Sequence, residues 1–122
     1  MSIRRLLMTS REEVQEINIT DVSVQYTRAM VYQYWIAFTP SFVLKTDDDR
    51  INVVIANSSG PCFNIDIKKS TYNYTNTGGV AERVLLGNLA FIEGTVNVAI
   101  YVRVDAQFKV FRFPSITPKQ YT

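Results

Sequence analysis

The chain has 122 residues, of which 47% are hydrophobic and 20% are charged, and its net charge is +2. These values are typical of one folded domain that can bury a core without disulfides or a structural metal. Because the chain has no histidine and a single cysteine, Cys62, the composition excludes Ser-His-Asp and Cys-His catalysis, His-led zinc sites and an internal disulfide. The small net charge argues against a protein that works mainly on nucleic acid.

The first segment, residues 1–13, is predicted to form an N-terminal arm. Ser10 and Glu13 have the spacing of a helix capping box, so one or two helical turns fit here at most. The segment lacks the long apolar run of a secretion signal, and no run in the chain reaches the ~20 residues of a membrane-spanning helix. We therefore expect a chain made in the cytoplasm, with no membrane partner.

After a predicted strand over residues 22–27, the segment 30–38 (MVYQYWIAF) has a single polar side chain and the only tryptophan. Two interpretations remain open for this segment. It is either a central strand buried on both faces or a strand at an interface, where Tyr, Trp and Met are enriched. In a strand, Tyr32 and Tyr34 share one face and Trp35 lies on the other. These three aromatic residues are candidate interface residues.

The run Asp47-Asp48-Asp49 brings three carboxylates together, and carboxylates can bind a hard cation. The run lacks the ligand spacing, the central glycine and the distal glutamate of a calcium loop, so we predict a polar turn and no metal. We also predict no cofactor, since the five glycines form neither a dinucleotide fingerprint nor a phosphate loop.

The middle of the chain has the patterns of several strands. Residues 50–56 (RINVVIA) are apolar at most positions, which is typical of a strand covered on both faces. Residues 63–68 and 72–75 alternate between apolar and polar side chains, so each segment has one apolar face. Tyr72 and Tyr74 share such a face and are further candidate interface residues.

Residues 80–91 (VAERVLLGNLAF) are ambiguous. Apolar residues fall at helical spacing, so a short helix is one interpretation, although Gly87 weakens it. A helix here would not change the fold class.

A very long apolar alternation follows over residues 96–110, and it slips by one position at Phe111 and Phe113. Such a slip predicts a bulge, a corner or a hairpin tip. Asp105-Ala106 is a poor sequence for a tight turn because neither residue favours positive φ, so a bent continuous strand and a hairpin both remain open. Phe111 and Phe113 are candidate interface residues.

The last segment, residues 114–122 (PSITPKQYT), is predicted to be a C-terminal arm. Pro114 and Pro118 exclude a helix and a central strand. Ile116 and Tyr121 are the large apolar side chains of the arm, and they are candidate anchors if it binds a groove on a neighbouring molecule.

Six to eight short strands separated by turns predict an all-β chain, an antiparallel β-sandwich or jelly-roll-like fold. We expect a single domain over residues 1–122, with at most one or two short helices and extended N- and C-terminal arms.

These patterns favour a non-enzymatic structural protein, such as the capsid, cement or tail piece of a virus or phage particle. Its partners would be proteins, either further copies of itself or a larger coat protein, and it would be located in the virion or otherwise in the cytoplasm. The alternative is a small β-barrel module for single-stranded nucleic acid or carbohydrate, with Trp35, Tyr72 and Tyr74 as stacking surfaces. The charge balance makes a nucleic-acid partner the weaker prediction.

Overall fold

The computed structural model describes residues 14–28, 30–71 and 78–121. In these ranges the chain forms strands and no helix, which confirms the predicted all-β class. The strands are β1 (Ile19–Arg28), β2 (Tyr32–Pro40), β3 (Arg50–Asn57), β4 (Gly60–Lys68), β5 (Glu82–Asn88), β6 (Val96–Val104), β7 (Gln107–Ile116) and β8 (Lys119–Gln120). The predicted N-terminal arm, with its capping box, lies outside the described residues.

The strands form two sheets that pack together as a β-sandwich. The first sheet has the order β5-β2-β1-β8, and the second sheet has the order β4-β3-β6-β7. Neighbouring strands are antiparallel except β1 and β8, which are parallel. One continuous core lies between the inner faces, and its fully buried side chains include Val24, Ile36, Phe38, Ile51, Val53, Ile55, Ile67, Ile100 and Val102. Apolar residues therefore alternate along these strands because every second side chain enters the core.

A two-residue turn joins β6 to β7. Val104 pairs with Gln107, and the residues between them, Asp105 and Ala106, have φ values of 54° and 60°. Two consecutive residues in the left-handed region are what a type I′ hairpin turn requires. From the sequence, a hairpin and a bent strand are both open, and Asp105-Ala106 is a poor sequence for a tight turn. The chain forms the hairpin with these residues.

The turn also explains the slip of the apolar pattern. Before it, the inward side chains of β6 include Val98, Ile100 and Val102. After it, Phe111 pairs with Ile100 and packs against the core, whereas Phe108 is exposed. The apolar residues of β7 therefore line both faces of the second sheet.

Two carboxylates hold this turn in place. Asp105 Oδ2 accepts a hydrogen bond of 2.9 Å from the Gln15 amide, and Asp105 Oδ1 lies 3.3 Å from Lys45 Nζ. The Asp105 amide donates to Asp49 Oδ1 at 3.3 Å. Asp49 is buried, and its Oδ2 accepts from the amides of Lys45 and Thr46 at 2.7 and 3.3 Å. The acidic run at residues 47–49 is thus a polar turn, and it also supports the β6–β7 hairpin.

Tyr34 belongs to the core. Its side chain has no exposed surface, and its hydroxyl accepts a hydrogen bond of 2.9 Å from the Ile92 amide. Burial raises the pKa of the Tyr34 phenol, so the hydroxyl stays neutral. The prediction that Tyr34 contacts a partner is wrong, because the side chain leaves no surface for one.

The helical interpretation of residues 80–91 is also wrong. Glu82–Asn88 form the edge strand β5, which pairs with β2. Val84 and Leu86 enter the core, while Leu85 faces outward. Gly87 lies beside a register shift with a φ of 142°, a conformation that favours glycine.

The C-terminal residues are extended, and they lie on the chain's own sheets. Ile116 ends β7 in the second sheet and packs against the core. The chain then crosses to the first sheet, where β8 pairs with Gln25 and Tyr26 of β1. The Tyr121 amide donates to the Tyr26 carbonyl oxygen at 2.8 Å. The segment therefore covers part of the edge of β1.

We predict that Tyr34→Phe lowers the free energy of unfolding by about 2 kcal/mol, because the buried Ile92 amide loses its hydrogen-bond acceptor. Chemical denaturation measures the change. Tyr26→Phe is the matched control, since the described residues supply no hydrogen-bond partner for the Tyr26 hydroxyl. Equal effects of the two substitutions would contradict the assigned hydrogen bond.

We also predict that Asp105 contributes to the pH dependence of stability. Burial opposes its ionisation, but hydrogen bonds from the Gln15 amide and Lys45 outweigh burial and lower the pKa of the carboxyl. A lowered folded-state pKa gives stability that is present above about pH 4 and is lost as the pH falls further. Unfolding measured from about pH 6 to 2 should therefore depend less on pH in Asp105→Asn than in the wild type.

The exposed Asp48→Asn variant is the control for this titration and should keep the wild-type profile. If Asp105→Asn has the same pH profile as the wild type, the carboxylate does not hold the turn through its charge.

Candidate interaction surfaces

The outer face of the second sheet is apolar at its centre. Side chains of cross-strand partners lie on the same face of a sheet, so the register identifies which residues point outward. The outward apolar residues, which we call the apolar face, are Val54 and Ala56 of β3, Ala99 and Tyr101 of β6, and Phe108, Val110 and Pro114 of β7. Phe108 is 65% exposed and Val110 is 37% exposed. The described part of the chain does not cover this face.

The apolar face has a raised part and a recessed part. The rings of Tyr101 and Phe108 stack with a centroid distance of 6.4 Å, and we call this pair the aromatic ridge. Beside the ridge is a recess of about 500 Å³. We call it the hollow, and the outward residues that line it are Val54, Ala56, Asn97, Ala99, Tyr101, Arg112 and Pro114. Large and small side chains thus alternate along the same strands.

Charged residues surround the apolar face. Arg103 lies opposite Phe108, and Arg112 lies opposite Ala99. On the side of β4, Arg50 is 3.9 Å from the carboxylate of Asp66. An apolar, aromatic centre with arginines at its edge is the composition of protein interfaces.

A second aromatic group lies on the outer face of the first sheet. The Arg83 guanidinium carbon is 4.0 Å from the centroid of the Trp35 ring and 3.7 Å from that of Tyr121. Arg83 Nε also donates to Gln25 Oε1 at 2.9 Å. These contacts place Trp35 on the opposite side of β2 from Tyr34, as the alternation predicted. They also fasten the C-terminal segment to the sheet.

A third aromatic group lies at the end of the sandwich near the β1–β2 hairpin. Tyr32 packs against Phe91 with a centroid distance of 5.2 Å, and Tyr26 lies 5.7 Å from the same ring. Met30 and Val31, at the hairpin, are exposed. Tyr32 itself is half-buried, but Phe91 is 48% exposed, so this group also presents apolar surface to solvent.

The structure separates the candidate interface residues predicted from the sequence. Trp35 and Tyr121 come together on the outer face of the first sheet. The side chains that pack against the core are those of Tyr32, Tyr34, Phe111, Phe113 and Ile116. Tyr72 and Tyr74 lie outside the described residues.

The sequence does not predict the apolar face. Its alternation over residues 96–110 places Phe108 and Val110 in one row with Val98 and Ile100, but the structure buries only Val98 and Ile100. One pattern could have identified the face: in residues 50–56, apolar side chains occur at both the odd and the even positions, so both faces of the strand are apolar. The structure buries only one side of this strand and leaves Val54 half-exposed on the other.

The described residues contain no group of three or more Cys, Asp or Glu side chains placed to hold a metal ion. Cys62 is half-buried, and its Sγ lies 3.8 Å from the Gly60 carbonyl oxygen. No helix that could span a membrane occurs in the described ranges.

Comparison of the chain with models of protein families, with curated proteins and with solved structures finds no match. The functional conclusion therefore depends on the surfaces described above.

We predict that Tyr121→Ala exposes Trp35 and shifts its fluorescence emission to longer wavelength, because one of the two rings around Arg83 is removed. The loss of a surface cation–π contact should lower the free energy of unfolding by about 0.5 to 1 kcal/mol. Trp35 is the only tryptophan, so the emission spectrum reports this site alone. Gln120→Ala, at the neighbouring position of β8, is the control, and an unchanged spectrum for Tyr121→Ala would contradict the assigned stack.

Proposed function

We propose that this chain is a non-enzymatic structural subunit of a virus or phage particle, a capsid, cement or tail piece that acts through protein contacts. It would be made in the cytoplasm of the host and incorporated into the virion. The observation that carries this proposal is the apolar face. Exposed apolar patches of this kind mark sites of protein interaction, because water disfavours them on a monomer.

The way in which the apolar face is built supports a structural role. Apart from Pro114, its side chains come from paired strands, and β3 and β6 are central in their sheet. Such positions are fixed by cross-strand hydrogen bonds and by the core beneath them. A rigid surface of this kind loses little conformational entropy when it binds, which suits a permanent contact in an assembly.

The alternative, a module for single-stranded nucleic acid or carbohydrate, needs an open aromatic ring on which a base or sugar can stack. Of the three predicted stacking residues, Trp35 has the Arg83 guanidinium over its ring at 4.0 Å. Tyr72 and Tyr74 lie outside the described residues and support neither function. The structural role is therefore the proposal that the described surfaces favour.

We predict that Val110→Lys prevents assembly while the domain stays folded. A charge placed on the apolar face would have to lose its water in any contact made there. The free energy of unfolding should change by no more than about 1 kcal/mol, because the substituted side chain is on the surface. Analytical ultracentrifugation, alone and with particle fractions, measures assembly, and thermal unfolding measures the fold.

Leu85→Lys is the matched control, since Leu85 is 42% exposed and faces outward on the other sheet. It should assemble as the wild type does. The proposal fails if Val110→Lys still assembles and enters particles normally. It also fails if the wild type binds single-stranded DNA at physiological salt and Val110→Lys binds it no differently from Leu85→Lys.

A further inference from the structure

We propose that the partner of the apolar face is a second copy of this chain, packed face to face about a two-fold axis. This inference rests on the proposed function, because it names the occupant of the same surface. Three properties of the face support it: its relief, its charges and its area.

The relief of the face is complementary to itself. The aromatic ridge and the hollow lie on one surface, and a two-fold axis between them places the ridge of each copy in the hollow of the other. Such an interface uses the same patch on both subunits and closes after two copies. The stacked ring of Tyr101 stands beside the small side chain of Ala99, two residues away on the same strand.

The strand register defines where this axis lies. One outward row contains Asn52, Tyr101 and Val110, and the next contains Val54, Ala99 and Arg112. An axis that crosses the strands between these two rows places Tyr101 of each copy over Ala99 of the other. A large side chain then meets a small one at both symmetric contacts, and the strands of the two copies run in opposite directions. Face-to-face sheets with nearly aligned strands are a common packing arrangement, about 10 Å apart.

The same axis keeps like charges apart. Arg50 and Arg103 are cross-strand partners in the row beyond Tyr101, on the side away from the axis. Ala56 and Asn97 are partners at the same distance on the other side of the axis. The two-fold operation therefore places Arg50 over Ala56, Arg103 over Asn97 and Arg112 over Val110, so each arginine meets a neutral residue. A parallel stack of two copies in register would instead place Arg103 over Arg103, which is unfavourable.

The area of the face suits a domain of the same size. The outer face of the whole second sheet, with four strands about 4.8 Å apart and four outward rows about 6.8 Å apart, covers a plane of about 500 Å², of which the three strands of the apolar face supply about 400 Å². Side-chain relief and the rim add to this value and bring it toward the roughly 800 Å² that each partner buries in a stable complex. A single peptide strand would leave much of the apolar face in water.

Two substitutions that exchange large and small residues test the proposed register. Tyr101→Ala removes the ring from the ridge, and Ala99→Tyr fills the hollow. Both positions face outward on the central strand β6, and thermal unfolding verifies that each variant is folded. Sedimentation equilibrium up to about 100 µM measures self-association, and native mass spectrometry identifies mixed dimers by mass.

We expect the wild type to dimerise and each variant alone to associate at least about tenfold more weakly. The first variant leaves two voids in its own dimer, and the second forces two tyrosine pairs together. An equimolar mixture should regain dimerisation as a mixed species, because each large residue then meets a small one at both contacts. Leu85→Ala, on the first sheet, should behave as the wild type.

Every other outcome overturns the two-fold pairing. A wild type that stays monomeric shows that the face does not bind a second copy. Single variants that dimerise as tightly as the wild type show that the dimer uses another surface. Weakened variants without recovery in the mixture exclude this register. In each case the proposed function is judged separately, and it fails as well if Val110→Lys leaves entry into larger particles unchanged.

Discussion

Two consecutive residues with positive φ, Asp105 and Ala106, set the register of β7 against β6, and the chemistry of both faces of that strand follows from it. A turn longer by one residue would move every side chain of β7 to the opposite face. Phe108 would then lie between the sheets, and Phe111 would be exposed. The strain of the turn is offset by hydrogen bonds and charge contacts to Asp105, and by the buried carboxylate of Asp49.

The strands and the fold class could be predicted from the sequence. A strand that buries every second residue has alternating apolar and polar side chains, and this pattern is visible within a few neighbouring residues. The helical interpretation of residues 80–91 was wrong because the local pattern there fits two structures. Val84 and Leu86 fit a strand, while Val80 and Leu89 fit a helix, and only pairing with β2 decides between them. The β6–β7 turn is decided at a longer distance, since the Gln15 amide that holds Asp105 is 90 residues away in the chain. The preferences of residues near the turn cannot predict a contact with a residue so distant in the sequence.

The candidate surface was harder to derive than the fold, since an apolar side chain has the same identity in a core and at an interface. Tyr34 and Trp35 are adjacent in an apolar segment, and one is fully buried while the other lies on the outer face. Alternation separates the two faces of β2 but does not say which face is covered. For β3 the sequence predicts a strand that is buried on both faces, but the described structure buries only one of them. The face around Val54 became apparent only when the register of β3, β6 and β7 was known.

The edges of the sheets support the proposal that association uses a face. Gly87 interrupts the pairing of the edge strand β5, and β8 at the opposite edge pairs over only two residues. In the second sheet, Pro61 lies beside a register shift in β4, and Pro114 and Ser115, the latter with a φ of 56°, lie beside another in β7. Irregular and proline-containing edges resist the addition of further strands. Head-to-tail pairing of two different edges would extend a sheet without limit, whereas two apolar faces that cover one another close the contact. A chain that interrupts its edges and leaves one regular face apolar therefore favours a contact of fixed stoichiometry, which an ordered particle requires.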